Sequence, residues 1–80
     1  MEDIGFNSLL SIYIIPKTVD LILTKEGVDE NTALNWFYES KTYELLSNEE
    51  TKMWHYSPLT LYHIWKSERE TGELVFPEGL

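Results

Sequence analysis

Between Leu9 and Leu23 apolar side chains recur at helical steps, the pattern of an α-helix with a wide buried face. Ile12, Ile15, Val19 and Ile22 form one stripe. Leu10, Ile14, Thr18 and Leu21 form a second beside it, and Tyr13 and Leu23 widen the pair. A helix apolar over most of its circumference is either central in a core or shared with another subunit. Asn7 or Ser8 is the expected N-cap. Pro16 lacks an amide hydrogen and its ring clashes with the carbonyl four residues earlier, which predicts a kink or a break into two short helices. Ser11–Ile15 also has the β-branched composition of a buried strand. The helical spacing continues past the proline, so helix is preferred, with Lys25 in the last turn and Gly27 as the stop.

The next apolar pattern is shorter. Asp29 is placed to cap a second helix, Glu30 favours its positive end, and Ala33, Leu34, Trp36 and Phe37 make its inward face. Ser40 is expected to interrupt it and to cap a continuation through Leu46, with Tyr43 and Leu46 inward; one helix over 30–47 is the alternative. Ser47-Asn48-Glu49-Glu50 reads as a turn. Ser57-Pro58 is the strongest helix start in the chain, a capping hydroxyl followed by proline at the first helical position. The helix Pro58–Thr71 carries Leu61 and Trp65 on one line and Leu59 and Tyr62 on the next, and Gly72 ends it. Leu74-Val75-Phe76 is an apolar patch that lies extended on the helices or forms an edge strand. These elements predict one all-α domain over 1–80, a compact bundle of three to four short helices with an extended C-terminal tail, frayed at 1–6 and 77–80.

Composition narrows the partners. The chain has 80 residues and no cysteine, so no disulfide or thiolate metal site staples a domain this small. A dense core or a second subunit is required, and the 14% aromatic content suits the former. Six basic against fourteen acidic residues give a net charge of −8. Nucleic-acid affinity rests on clustered Lys and Arg, and the six bases here are spread along the chain. Direct nucleic-acid binding and an anionic membrane surface are therefore disfavoured. Solubility, a basic protein partner or mimicry of nucleic acid fits better. The N-terminus lacks the basic start of a signal peptide. The Leu9–Leu23 run, fifteen residues with Pro16, Lys17 and Asp20 inside, falls short of a membrane span. A cytoplasmic location is expected.

Candidate chemistry collects at Glu49–Pro58. His55 and His63, the only histidines, are too far apart in sequence for two ligands on one helix face. His55 with Glu49 or Glu50 is the one metal or acid–base combination left, and no spacing rule fixes its geometry. The serines stand outside any nucleophile-elbow context and the glycines are isolated, so neither a catalytic serine nor a phosphate-cradling loop is expected. No cofactor, metal or catalytic residue is assigned. Trp54 is expected to close the core between the second helix and the Pro58 helix. Alternatively Lys52, Trp54, His55, Tyr56 and Lys66 form an interaction patch of the aromatic and basic kind that dominates binding energies. A helix-turn-helix reader is a further class, disfavoured because Lys66 and Arg69 are offset by Glu68 and Glu70.

From Phe37-Tyr38 onward, through Glu49-Glu50-Thr51-Lys52-x-Trp54-His55-x-Ser57-Pro58 to Thr71-Gly72 and Phe76-Pro77-Glu78, the chain resembles a group of small uncharacterised proteins of Firmicutes and related gut bacteria. Ile15-Pro16 and Val19 belong to the same resemblance. It implies an accessory or antitoxin-like role and identifies no catalytic residue. The leading expectation is a small acidic cytoplasmic interaction module, a homodimer through the Leu9–Leu23 helix or a binder of another protein. An antitoxin-like or nucleic-acid-mimic protein and a small metal-dependent enzyme using His55 with Glu49 or Glu50 are the alternatives.

Overall fold

The computed structural model describes residues 5–76, and among them there are helices and turns but no strand. The expectations about Met1–Asp3 and about 77–80 lie outside the described residues. Helix α1 runs Phe6–Glu26, so Phe6, expected to fray, is helical and half-buried. Its N-cap is Gly5 in extended backbone. Asn7 and Ser8 lie inside the helix, and the Asn7 carbonyl accepts a bond of 3.0 Å from the Ser11 hydroxyl.

Pro16 does not break α1. Leu10–Ile14 forms a single π turn in which the Ile15 amide reaches the Leu10 carbonyl, and the residues flanking it keep right-handed helical backbone. The same step taken from Ser11 arrives at Pro16, which has no amide to offer, so the wide turn sits where the proline would otherwise disturb α-helical bonding. Register is corrected at the same time. A four-residue spacing overshoots the ~3.6-residue turn, so a regular helix would carry Leu10 and Ile14 away from Thr18 and Ile22. The extra residue in the π turn brings them back, and all four are buried. The competing strand over Ser11–Ile15 is thereby excluded.

Gly27 ends α1 in left-handed backbone (φ 70°), where glycine avoids the Cβ penalty. The amides of Gly27 and Val28 both bond to the Leu23 carbonyl, at 3.0 and 3.2 Å. Helix α2, Glu30–Tyr38, is capped by Asp29, whose carboxylate accepts from the Thr32 amide at 2.8 Å. Helix α3, Lys41–Leu46, is a separate element because Ser40 adopts extended backbone and its hydroxyl caps the Tyr43 amide at 3.0 Å. Thr42 and Leu46 face inward. Tyr43, expected inward, is half-buried with its ring edge-on to Phe37 and Tyr38.

Helix α4, Pro58–Thr71, begins at the Ser57 cap and stops at Gly72 (φ 81°). Leu61, Tyr62, Ile64 and Trp65 are buried, whereas Leu59, expected inward, is 48% exposed in the first turn. Leu74 leans on the core, and Val75 and Phe76 are exposed in an extended tail that pairs with nothing among the described residues.

Helix α1 packs most extensively on α4 and α2, and α3 bridges the other two. Trp36 of α2 stacks on Trp65 of α4 with ring centroids 6.3 Å apart. The molecule measures 40 × 30 × 18 Å. A thickness of 18 Å is under two helix diameters of ~10–12 Å each, so every helix keeps a face in solvent. Helix α1 is 21 residues with a mean hydropathy of 1.3 over its most apolar window. It is thus long and apolar enough to cross a membrane, contrary to the length read from the Leu9–Leu23 run, and about a third of that window is buried in the protein itself.

Candidate functional site: a junction patch and an acid-rimmed groove

The segment from Asn48 to Ser57 folds as two single 3-10 turns, Glu49–Thr51 and Met53–His55. Asn48 starts the first by accepting from the Glu50 amide at 3.0 Å. The Thr51 hydroxyl ties it to α3 by donating to the Leu45 carbonyl at 2.6 Å. Lys52 joins the turns in left-handed backbone (φ 60°), the only non-glycine residue with positive φ among the described residues. The side chain that this junction sends into the core is Met53, 3% exposed, not Trp54. Trp54 is half-buried, and its indole nitrogen donates to the Glu49 carbonyl at 2.9 Å.

His55 is exposed. Its Nδ1 hydrogen-bonds the Lys52 carbonyl, and since a carbonyl only accepts, Nδ1 carries the proton and Nε2 is the free nitrogen. The imidazole stacks on Tyr56 at 4.8 Å. Neither the Glu49 nor the Glu50 carboxylate bonds to it, and no group of three or more metal-ligating side chains gathers among the described residues. Trp54, His55 and Tyr56 thus have neighbouring rings, and Lys52 meets them through its backbone carbonyl.

Lys66 does not join them. It lies eight residues into α4, ~12 Å along the axis at ~1.5 Å per residue, and belongs to a separate cluster. Its ammonium contacts both oxygens of Glu26 at 2.8 Å and Glu70 at 3.7 Å, while the Tyr62 hydroxyl donates to Glu26 at 2.6 Å. This triad bolts the end of α1 to α4. The Lys66 hydrogen bond first, and then that of Tyr62, hold the Glu26 carboxyl below its ordinary range. Burial and the bond to Glu26 push Tyr62 up, and the bond to Glu26 pushes Lys66 up.

A second polar device is invisible to sequence spacing. The Glu68 carboxylate of α4 accepts from the Lys41 amide (2.8 Å), the Thr42 amide (3.0 Å) and the Thr42 hydroxyl (2.8 Å), capping α3 from 26–27 residues away. With Ser40 on Tyr43, the first three amides of α3 all find side-chain acceptors. Beside it, the Arg69 guanidinium lies 3.7 Å over the Trp36 ring and 5.6 Å from Trp65, closing a shallow hollow of about 180 Å³.

A concavity of about 350 Å³ lies between α1 and α2. The short Gly27–Asp29 turn makes these helices antiparallel, so the groove runs from Ser11 and Tyr38 at one end to Leu23 and Glu30 at the other. Ile15, Pro16, Val19, Leu23 and Leu34 give it an apolar floor. Asp20 and Glu30 stand on its rim, both exposed, and neither carboxylate has an ion-pair or hydrogen-bond partner among the described residues. Ile12 and Tyr13, 74% and 48% exposed, lie on the half of α1 that holds the Ser11 end. The apolar periodicity of α1 identified this helix as a surface to be covered, but not that α2 covers only part of it. Comparison with protein-family models, with curated proteins and with solved structures gives no match.

Proposed function

We propose that this chain is a small acidic protein-interaction module acting in the cytoplasm, and that its binding face is the groove between α1 and α2. The observation that carries the reading is the groove itself, an apolar floor under two unpaired carboxylates. Glu39, Glu44, Glu49, Glu50 and Glu73 are also exposed without an ion pair among the described residues, so it is the apolar floor beneath Asp20 and Glu30 that sets the groove apart. Interfaces are built around a desolvated apolar centre with a polar rim, which is the composition present here. Self-association through the outer face of α1 is the second reading, favoured by the exposure of Ile12. A photo-crosslinking residue at Tyr38, compared in cells with one at Glu44 on α3, tests both. One dominant heterologous adduct from position 38 supports the first reading and a self-adduct the second. Identical adduct patterns from the two positions defeat both.

A further inference from the structure

We infer that the α1–α2 groove takes a basic, amphipathic helical segment of a partner protein, its apolar stripe on Pro16, Leu23 and Leu34 and its Lys or Arg side chains on Asp20 and Glu30. The inference rests on the interaction reading above and adds the chemistry of the occupant. Length is the first argument. From Ser11 to Leu23 the groove follows α1 for about 18 Å at ~1.5 Å per residue, the span of about three helical turns. Two antiparallel helices with a furrow between them form the seat into which a third helix packs by its i, i+3, i+4 and i+7 side chains.

Charge is the second argument. The ionised carboxylates of the lining, Asp20 and Glu30, stand near one end of the furrow. Both are exposed and unpaired among the described residues, unlike Glu26, which holds a lysine and a tyrosine. The C-terminus of α1 and the N-terminus of α2 meet at that end, so their dipoles offset one another and the two carboxylates set the potential there. A cationic segment is therefore drawn in, and an acidic one is repelled. A second copy of this chain, itself at net −8, brings like charge to the furrow. The two carboxylates also orient the guest, with its own positive N-terminal end toward Asp20 and Glu30.

The test uses the full chain as bait for a display library of random peptides about 14 residues long, close to four helical turns. Enriched peptides are then measured against wild type and against Asp20→Lys with Glu30→Lys, two exposed positions. The expected consensus has apolar residues at i, i+3/i+4 and i+7 with Lys or Arg beside them. Reversing the two rim charges should weaken binding about tenfold, the scale of two exposed ion pairs turned to repulsion, and amide shifts should map to Val19 and Leu34. Neutral or acidic consensus sequences, or affinities indifferent to the double reversal, overturn the inference. If no peptide is enriched but light scattering shows a dimer with shifts at Val19 and Leu34, the occupant is a second copy; the interaction reading stands and this inference falls. If neither peptide nor second copy occupies the groove, both fall.

Discussion

Helix α1 meets α4 on one side and α2 on the other, and the two seams end differently. Toward α4 the seam is sealed: Leu61, Ile64 and Trp65 are at most 2% exposed, and Glu26, Tyr62 and Lys66 lock its end with bonds of 2.6–2.8 Å. Toward α2 it stays open along its outer edge, with Leu34 half-buried, Tyr38 exposed and Asp20 and Glu30 unpaired among the described residues. Both seams are apolar, so hydrophobicity alone does not distinguish a finished interface from an unfinished one. The polar groups at the edge do: toward α4 one carboxylate holds a lysine and a tyrosine, and toward α2 the two rim carboxylates hold nothing among the described residues.

The largest effect should come from the sealed side. Trp65→Ala removes a ring that is 2% exposed and stacked on Trp36. Such a truncation costs ~3–5 kcal/mol. A domain of this size has about 4–12 kcal/mol of stability in total. Urea melts should show a domain unfolded or nearly so in the absence of denaturant. Leu34→Ala on the open side, where the side chain is half-buried already, should cost about 1 kcal/mol. Equal losses at the two positions would mean that the seams do not differ.

Glu68→Ala comes next. It strips the two leading amides of α3 of their acceptor, and a six-residue helix does not hold itself in water. Charge-assisted bonds at a partly exposed cap put the loss at about 2 kcal/mol. Amide exchange at Lys41 and Thr42 should rise by more than at α1, because the defect is local.

Much of this architecture is legible in the chain. The caps at Asp29, Ser40 and Ser57 and the stops at Gly27 and Gly72 are local signals, written in residues adjacent to the backbone they satisfy, and each element they bound is present. Pro16 is misleading when read alone, since a single inserted residue lets the helix pass it. What periodicity cannot show is partnership across the chain. Glu68 on α3, Arg69 on Trp36 and Lys66 on Glu26 are meetings of residues 26–40 positions apart or on different helices, fixed by packing angles. For the same reason composition groups Lys66 with Trp54 and His55, and the larger Trp54 masks the buried Met53 beside it.

Thr18→Val should act in the opposite direction. The Thr18 hydroxyl is fully buried in α1 and has no hydrogen-bond partner among the described residues. A buried unsatisfied hydroxyl costs ~1–3 kcal/mol, and replacing it by a methyl of similar shape recovers part of this. A gain of about 1 kcal/mol in chemical denaturation is expected, and no gain would place a partner on that oxygen.

The lock at the end of the sealed seam carries a pH signature. The Glu26 carboxyl is more acidic folded than unfolded, so the unfolded chain binds more protons below the ordinary carboxyl range. Its contribution is whole above that range and is lost as pH falls through the lowered folded value. Tyr62 and Lys66 are raised, so their contributions are whole below the ordinary tyrosine and lysine ranges and fade as pH rises through the folded values. Glu26→Gln should flatten the acid limb of the stability profile relative to wild type. A profile that Glu26→Gln leaves intact would remove the lock from the account.

The smallest effect on stability is expected where exposure is greatest. Ile12 is 74% exposed on the N-terminal half of α1. Surface positions of that kind change folding stability by no more than about 0.5 kcal/mol, so Ile12→Ser should melt with wild type. Its association should not match. Lone exposed apolar residues are ordinary, but Ile12 lies on the same stretch of α1 as the open groove. If the outer face of α1 mates with a second copy, the serine variant loses a central contact and stays monomeric at concentrations where wild type does not. If the groove alone binds and takes a basic segment, light scattering of the two proteins is identical while the affinity of that segment stays within about twofold, roughly the ~0.4 kcal/mol expected of a contact at the margin.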